Sequence, residues 1–107
     1  MVFWLYLLIA ILTEVVGTTL MKVSQGLTRL VPSVLMFVLY GISFAFMALA
    51  LKRIEVSIAY AVWSGLGTAL IAAIGIFWFR ESINIPKLMG IVLIIVGVIL
   101  LNLKGAG

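Results

Sequence analysis

Residues 7–21 read LLIAILTEVVGTTLM, a run of apolar and small side chains broken in its middle by one acid, Glu14. The run extends outward as Val2–Met21. A hydrocarbon core about 30 Å thick is crossed by about 20 predominantly apolar residues in a helix rising about 1.5 Å per residue. The stretch is therefore read as a membrane span with a carboxyl group near its centre, and both the fold and the chemistry follow from that reading.

Three further runs have the same character: Pro32–Leu51, Ser57–Phe79 and Pro86–Leu103. They are joined by KVSQGLTRL, KRIEV and RESINI, which hold nearly every charge. Of the 107 residues 66% are hydrophobic and 9% charged, with a mean hydropathy of +1.44, far from the balance of a soluble chain. The expected fold is all-α, a single four-helix transmembrane domain over residues 1–107, with no room for a soluble domain. The first run lacks a basic leading region and a small-residue cleavage pattern, so it is read as a retained span and not a secretory signal. Pro32 and Pro86 mark helix starts, where a missing N–H costs nothing, and Asn84 is the expected cap of the fourth helix. Trp4, Tyr6, Trp78 and Phe79 lie near span ends, where amphipathic rings settle at headgroup level.

The chain has no cysteine and no histidine. Disulfides, thiolate chemistry and imidazole metal sites are excluded, and no cofactor, metal or catalytic residue is expected. The seven basic residues behind the net charge of +4 are scattered over span ends. That pattern fits interfacial anchoring in a lipid bilayer and gives no nucleic-acid surface. With four spans, Lys52, Arg53 and Lys104 share one side with the termini, against Lys22, Arg29, Arg80 and Lys87 on the other, and the α-amino group evens the balance. The preference for basic loops in the cytoplasm thus has nothing to act on, and insertion in both orientations is expected. Two oppositely inserted copies could pair about a two-fold axis in the membrane plane, as inverted repeats do in larger transporters.

At 100° per residue, Leu7, Ala10, Ile11, Glu14, Gly17, Thr18 and Met21 share a stripe about 120° wide, while Leu8, Leu12, Val15 and Val16 lie mostly away from it. A carboxyl group near the bilayer centre costs at least about 2.5 kcal/mol and normally faces a bundle interior or a wet cavity. Acting only as hydrogen-bonded glue between helices it would recover about 0.6 and at most about 2 kcal/mol. The imbalance favours a functional role. Span two offers a matching stripe of Met36, Tyr40, Ser43, Phe44 and Met47, and span three one of Tyr60, Trp63, Ser64, Gly67 and Ile71. Tyr40 and Glu14 fall at similar depth, about 16 Å, with Trp63 about a turn shallower. A carboxylate beside ring faces suits a lipophilic cation, through charge pairing and cation–π attraction of about 2 kcal/mol per desolvated ring. In the fourth span Gly90 and Gly97 share a face with Ile94 and Leu101 and no acid or aromatic, which reads as an assembly surface. Gly65 and Gly67 in SGLGTA let the third helix either bend between states or pack closely.

The stretches TEVVGTTLMKVSQGLTRLVPS and IAYAVWSGLGTA, followed by the fourth-span glycines, resemble the small multidrug resistance family of four-span bacterial exporters over essentially the whole chain. Gly17 and Thr18 after the acid look like its quaternary-ammonium branch; guanidinium exporters typically carry tryptophan at the position of Gly17. The resemblance implies a multi-pass protein of the bacterial inner membrane working as an antiparallel homodimer. Within it Glu14 from both copies is the shared proton and substrate site, Tyr60 and Trp63 are binding aromatics, and Tyr40, Ser43 and Thr18 line the site with Leu7, Ala10, Ile11, Gly17 and Phe44. Gly90, Ile94 and Gly97 would make the dimer contact, and Gly65 and Gly67 the hinge. The implied activity is secondary active transport, not enzymatic: protons drive the export of lipophilic or quaternary ammonium cations by alternating access. Three other readings stay open, namely a guanidinium or small-cation exporter of the same family, a passive cation pore, and an accessory membrane subunit.

Overall fold

A computed structural model describes residues 2–105, with side chains through residue 103; Met1 with its α-amino group and the side chain of Lys104, both counted in the charge balance above, lie outside the described residues. Four helices follow in order: α1 (Val2–Val23), α2 (Leu30–Ala50), α3 (Val56–Phe77) and α4 (Ile85–Gly105). All four are long and apolar enough to cross a membrane. Helices satisfy the physics of that solvent, because lipid offers no partner to a free N–H or C=O and a helix pairs them within the segment.

The ends depart from the expected ones by up to two residues. α2 begins at Leu30, which puts Pro32 inside the first turn instead of at the first position. No intrahelical bond is lost there, and the first helical amide bond runs from Ser33 N–H to the Arg29 carbonyl four residues back at 3.2 Å, just after the proline. α4 begins at Ile85 and is capped as expected, with Asn84 Oδ1 accepting the Lys87 N–H at 2.9 Å. α3 stops at Phe77, short of Phe79. Arg80 turns left-handed with φ +56, and the Glu81 N–H returns to the Gly75 carbonyl at 2.9 Å. The α1–α2 turn is sharper still, since Gln25, Gly26 and Leu27 all have positive φ (+52, +74 and +68). Only Gly26 takes that conformation freely, the other two costing about 1–2 kcal/mol each. Fully buried Ser24 holds the turn: its hydroxyl donates to the Met21 carbonyl at 2.6 Å and accepts the Leu27 N–H at 3.0 Å.

The chain divides into two compact units, Met1–Arg53 and Ile54–Gly107. In the first, α1 packs on α2, and in the second α3 packs on α4. Tyr6 meets Phe46 with ring centroids 5.9 Å apart, Ala10 meets Ser43 and Gly17 meets Tyr40, a sequence of pairs that runs antiparallel. Leu7, Ala10, Ile11 and Val15 of α1 are buried, whereas Leu8, Leu12 and Val16 are exposed. Of the four bulky residues off the Glu14 stripe, three face outward and Val15 is packed within the unit, 4% exposed. In α3–α4 the bare Gly65 backbone lies under Val98 and Ile94; a Cβ there would approach the Ile94 Cγ2 to 3.3 Å and the Val98 Cγ2 closer still. No residue of the α4 span is buried.

Candidate functional site

Glu14 sits half-buried on α1 with its carboxylate in a chain of hydroxyl groups. Thr18, one turn on, donates its hydroxyl proton to Glu14 Oε1 at 3.0 Å. The Thr18 oxygen lies 2.6 Å from the Tyr40 hydroxyl of α2. Because the one proton of Thr18 is committed to the carboxylate, Tyr40 must donate to Thr18. The order is therefore Tyr40 O–H to Thr18 Oγ1, then Thr18 O–H to Glu14. Thr18 is thus the intermediary that links Tyr40 to Glu14.

Tyr40 reaches Thr18 because α1 has no side chain at Gly17. A Cβ there would lie 2.7 Å from Tyr40 Cε1 and 2.8 Å from Cδ1, so the ring rests on bare backbone. On its other side Tyr40 stacks on Phe44 (6.3 Å, 29° between planes), which is itself 58% exposed. Glu14, Thr18, Tyr40 and Phe44 thus form one chain of neighbours in the first unit, from the acid through two hydroxyl groups to a pair of stacked rings.

The remaining expected lining residues of this unit are packed away. Leu7, Ala10, Ile11, Gly17 and Ser43 are all buried, and the Ser43 hydroxyl donates to the Ala10 carbonyl at 2.7 Å. In the second unit Tyr60 and Trp63 meet edge-on with centroids 5.7 Å apart, Tyr60 remaining 60% exposed. α3 runs unbroken through Gly65 and Gly67, both buried, and Gly65 serves close packing on α4. A Cβ at Gly90 or Gly97 would meet nothing within 4 Å among the described residues, while Ile94 also leans on Gly65.

Two features were not anticipated from the sequence. One is the Gly17–Tyr40 seat, whose signal was a glycine one position before a site threonine. The other lies at the α3–α4 turn, where the Glu81 carboxylate covers Gly75 and its Oε1 stands 3.7 Å from Lys87 Nζ. Two apolar clefts occur in the second unit, one lined by Val62, Gly65, Leu66, Ala69, Ile95, Val98 and Ile99, the other by Ala73, Ile74, Phe77 and Trp78. Neither offers a charged group to orient a ligand. Among the described residues no three His, Cys, Asp or Glu side chains gather as a metal ion would need.

The family model described as Small Multidrug Resistance protein matches residues 2–94. The uncharacterized membrane protein YvaE of Bacillus subtilis is 51% identical over 100 residues, covering 94% of this chain and 84% of its own. The multidrug resistance protein EbrA of Bacillus licheniformis is 45% identical over 101 residues (94% and 96%). The quaternary ammonium compound-resistance protein QacF of Klebsiella aerogenes is 47% identical over 100 residues (94% and 91%). With four membrane-length helices and bacterial relatives, the chain is a multi-pass protein of the bacterial inner membrane.

Proposed function

From the premise that this chain belongs to the small multidrug resistance family of membrane transporters, we propose that it is a proton-coupled antiporter exporting lipophilic quaternary ammonium cations. The observation that carries the reading is the Glu14 carboxylate in the middle of a membrane span, bonded by Thr18, which links it to Tyr40 and through that ring to Phe44. A desolvated anion of that kind has two natural occupants, a proton or a large, weakly hydrated cation, and the rings add attraction only for the second. Protons and cation compete for Glu14, so a proton moving inward releases a cation outward when access alternates between the two sides. Tyr60 and Trp63 supply further ring surface.

The working unit is an antiparallel homodimer in which each protomer acts as one four-helix domain. The evenly divided basic residues support the opposed insertion. The α4 span, with no residue buried within the protomer and with Gly90 and Gly97 open, supports a helix–helix contact there. The buried glycines Gly65 and Gly67 allow α3 to bend between states. A relative named for resistance to quaternary ammonium compounds supports the substrate class.

The experiment is coupled uptake in proteoliposomes. Glu14→Gln keeps size and hydrogen-bonding capacity but removes the charge. It is expected to abolish proton-driven uptake of a quaternary ammonium cation while leaving assembly intact. Unimpaired coupled uptake by the variant refutes the assignment. Export of guanidinium in preference to quaternary ammonium cations would move the protein to another substrate class of the same family, and conductance without saturable exchange would make it a pore.

A further inference from the structure

The Ala10 carbonyl stands four residues before Glu14, so within α1 it is the acceptor of the Glu14 amide N–H. Two side chains converge on the same oxygen. Ser43 of α2 donates to it at 2.7 Å, and Thr13, whose hydroxyl chiefly serves the Ile9 carbonyl at 2.8 Å, lies 3.1 Å away. A carbonyl oxygen has two lone pairs, and the helix uses one. Ser43 occupies the other from a neighbouring helix. Its side chain is 0% exposed, and its single proton is spent on Ala10.

We infer that Ser43 is a positioning residue for Glu14, acting through the Ala10 carbonyl, and does not touch the transported cation. The inference rests on the reading of Glu14 as the cation- and proton-binding group. Tyr40 and Ser43 are three residues apart on one face of α2. Tyr40 reaches the carboxylate end of Glu14 by way of Thr18, and Ser43 holds the backbone turn that carries it. Fixed at both places, that turn of α1 cannot rotate against α2. The hairpin therefore carries its acid as one body and presents the same anion, at the same depth, to every cation. Loss of the Ser43 hydroxyl should then weaken all cations alike, whereas loss of a substrate contact would weaken them according to their shape.

The test uses full-length protein in lipid nanodiscs. Alanine labelled with carbonyl ¹³C and isoleucine labelled with ¹⁵N report on Ala10–Ile11 and Ala73–Ile74, the two places where isoleucine follows alanine. Side-chain carboxyl ¹³C resonances report on Glu14, Glu55 and Glu81. The affinities of tetraphenylphosphonium, methyltriphenylphosphonium and tetrapropylammonium are measured in parallel. In Ser43→Ala the Ala10 and Glu14 resonances are expected to move while those of Ala73, Glu55 and Glu81 stay. Affinity for the three cations is expected to fall by a common factor of about three to about thirty, the range one interhelical hydrogen bond in lipid supports. Ser43→Cys, near in size with a weak donor, gives the same displacements should the alanine variant fail to assemble. An unmoved Ala10 or Glu14 resonance, or a loss confined to one cation, overturns the inference. Cation binding that persists in Glu14→Gln would instead sink the reading of Glu14, a result the Ala10 resonance does not depend on.

Discussion

Gly17→Ala adds one methyl group at the point where the Tyr40 ring lies on α1. The new Cβ would stand 2.7 Å from Cε1, where ordinary contact begins near 3.4 Å, so ring and helix must separate by about 0.7 Å. Swung about its Cα, the ring carries its hydroxyl through a larger arc. The 2.6 Å link to Thr18 then opens beyond hydrogen-bonding distance. Overpacking costs about 1–3 kcal/mol and the lost interhelical bond about 0.6, offset by about 1 kcal/mol from the better helix propensity of alanine. The expected net is a destabilisation of about 0.6–2.6 kcal/mol, together with weaker cation binding as the hydroxyl chain to Glu14 breaks. Reversible unfolding in mixed detergent micelles, run as a double-mutant cycle with Tyr40→Ala, measures it. Without the ring, Gly17→Ala should become neutral or stabilising. An equal cost in both backgrounds, or stabilisation by the single variant, would refute the argument that Gly17 exists to seat Tyr40.

Three further outcomes follow from the geometry. Gly65→Ala should loosen the α3–α4 hairpin by about 1–3 kcal/mol, because the methyl group meets Val98 and Ile94; Val98→Ala in the same chain should restore most of the loss in the same unfolding assay. Leu27→Gly should raise the thermal unfolding midpoint, since Leu27 holds φ +68 without the freedom of glycine; a lowered midpoint would show the exposed leucine contributing more than its backbone strain costs. Asn84→Ala should cost about 1 kcal/mol by freeing the Lys87 amide, and hydrogen exchange at that amide should accelerate in step.

The membrane setting explains which of these features could be read in advance. Asn84 was legible as a cap because capping is local, decided by a residue and the amide three positions on. The row Leu8, Leu12 and Val16 was legible as outward-facing because the stripe around Glu14 fixed a direction. The pattern left open whether Val15 would meet lipid or a packed helix, since in lipid a valine is equally at home on either face and hydrophobic periodicity loses its sign. The helix ends at Leu30 and Phe77 were misjudged by two residues because Pro32 and Arg80 tolerate more than one place in a turn. The family resemblance implied Ser43 at the site, and its partner here is a backbone carbonyl that no side-chain pattern records.

The sequence by itself determined four membrane-length helices, the even division of basic residues and a lone carboxyl group at mid-span, because each of these follows from the cost of placing polar groups in hydrocarbon. Only the tertiary structure decided the partners: Tyr40 on Gly17 and Thr18, Ser43 on Ala10, Gly65 under Val98. Pairing depends on how one helix is rotated and shifted against the next. Apolar surfaces solvated by lipid hardly constrain that register, which is set by a few glycines and hydroxyls whose mates are distant in the chain.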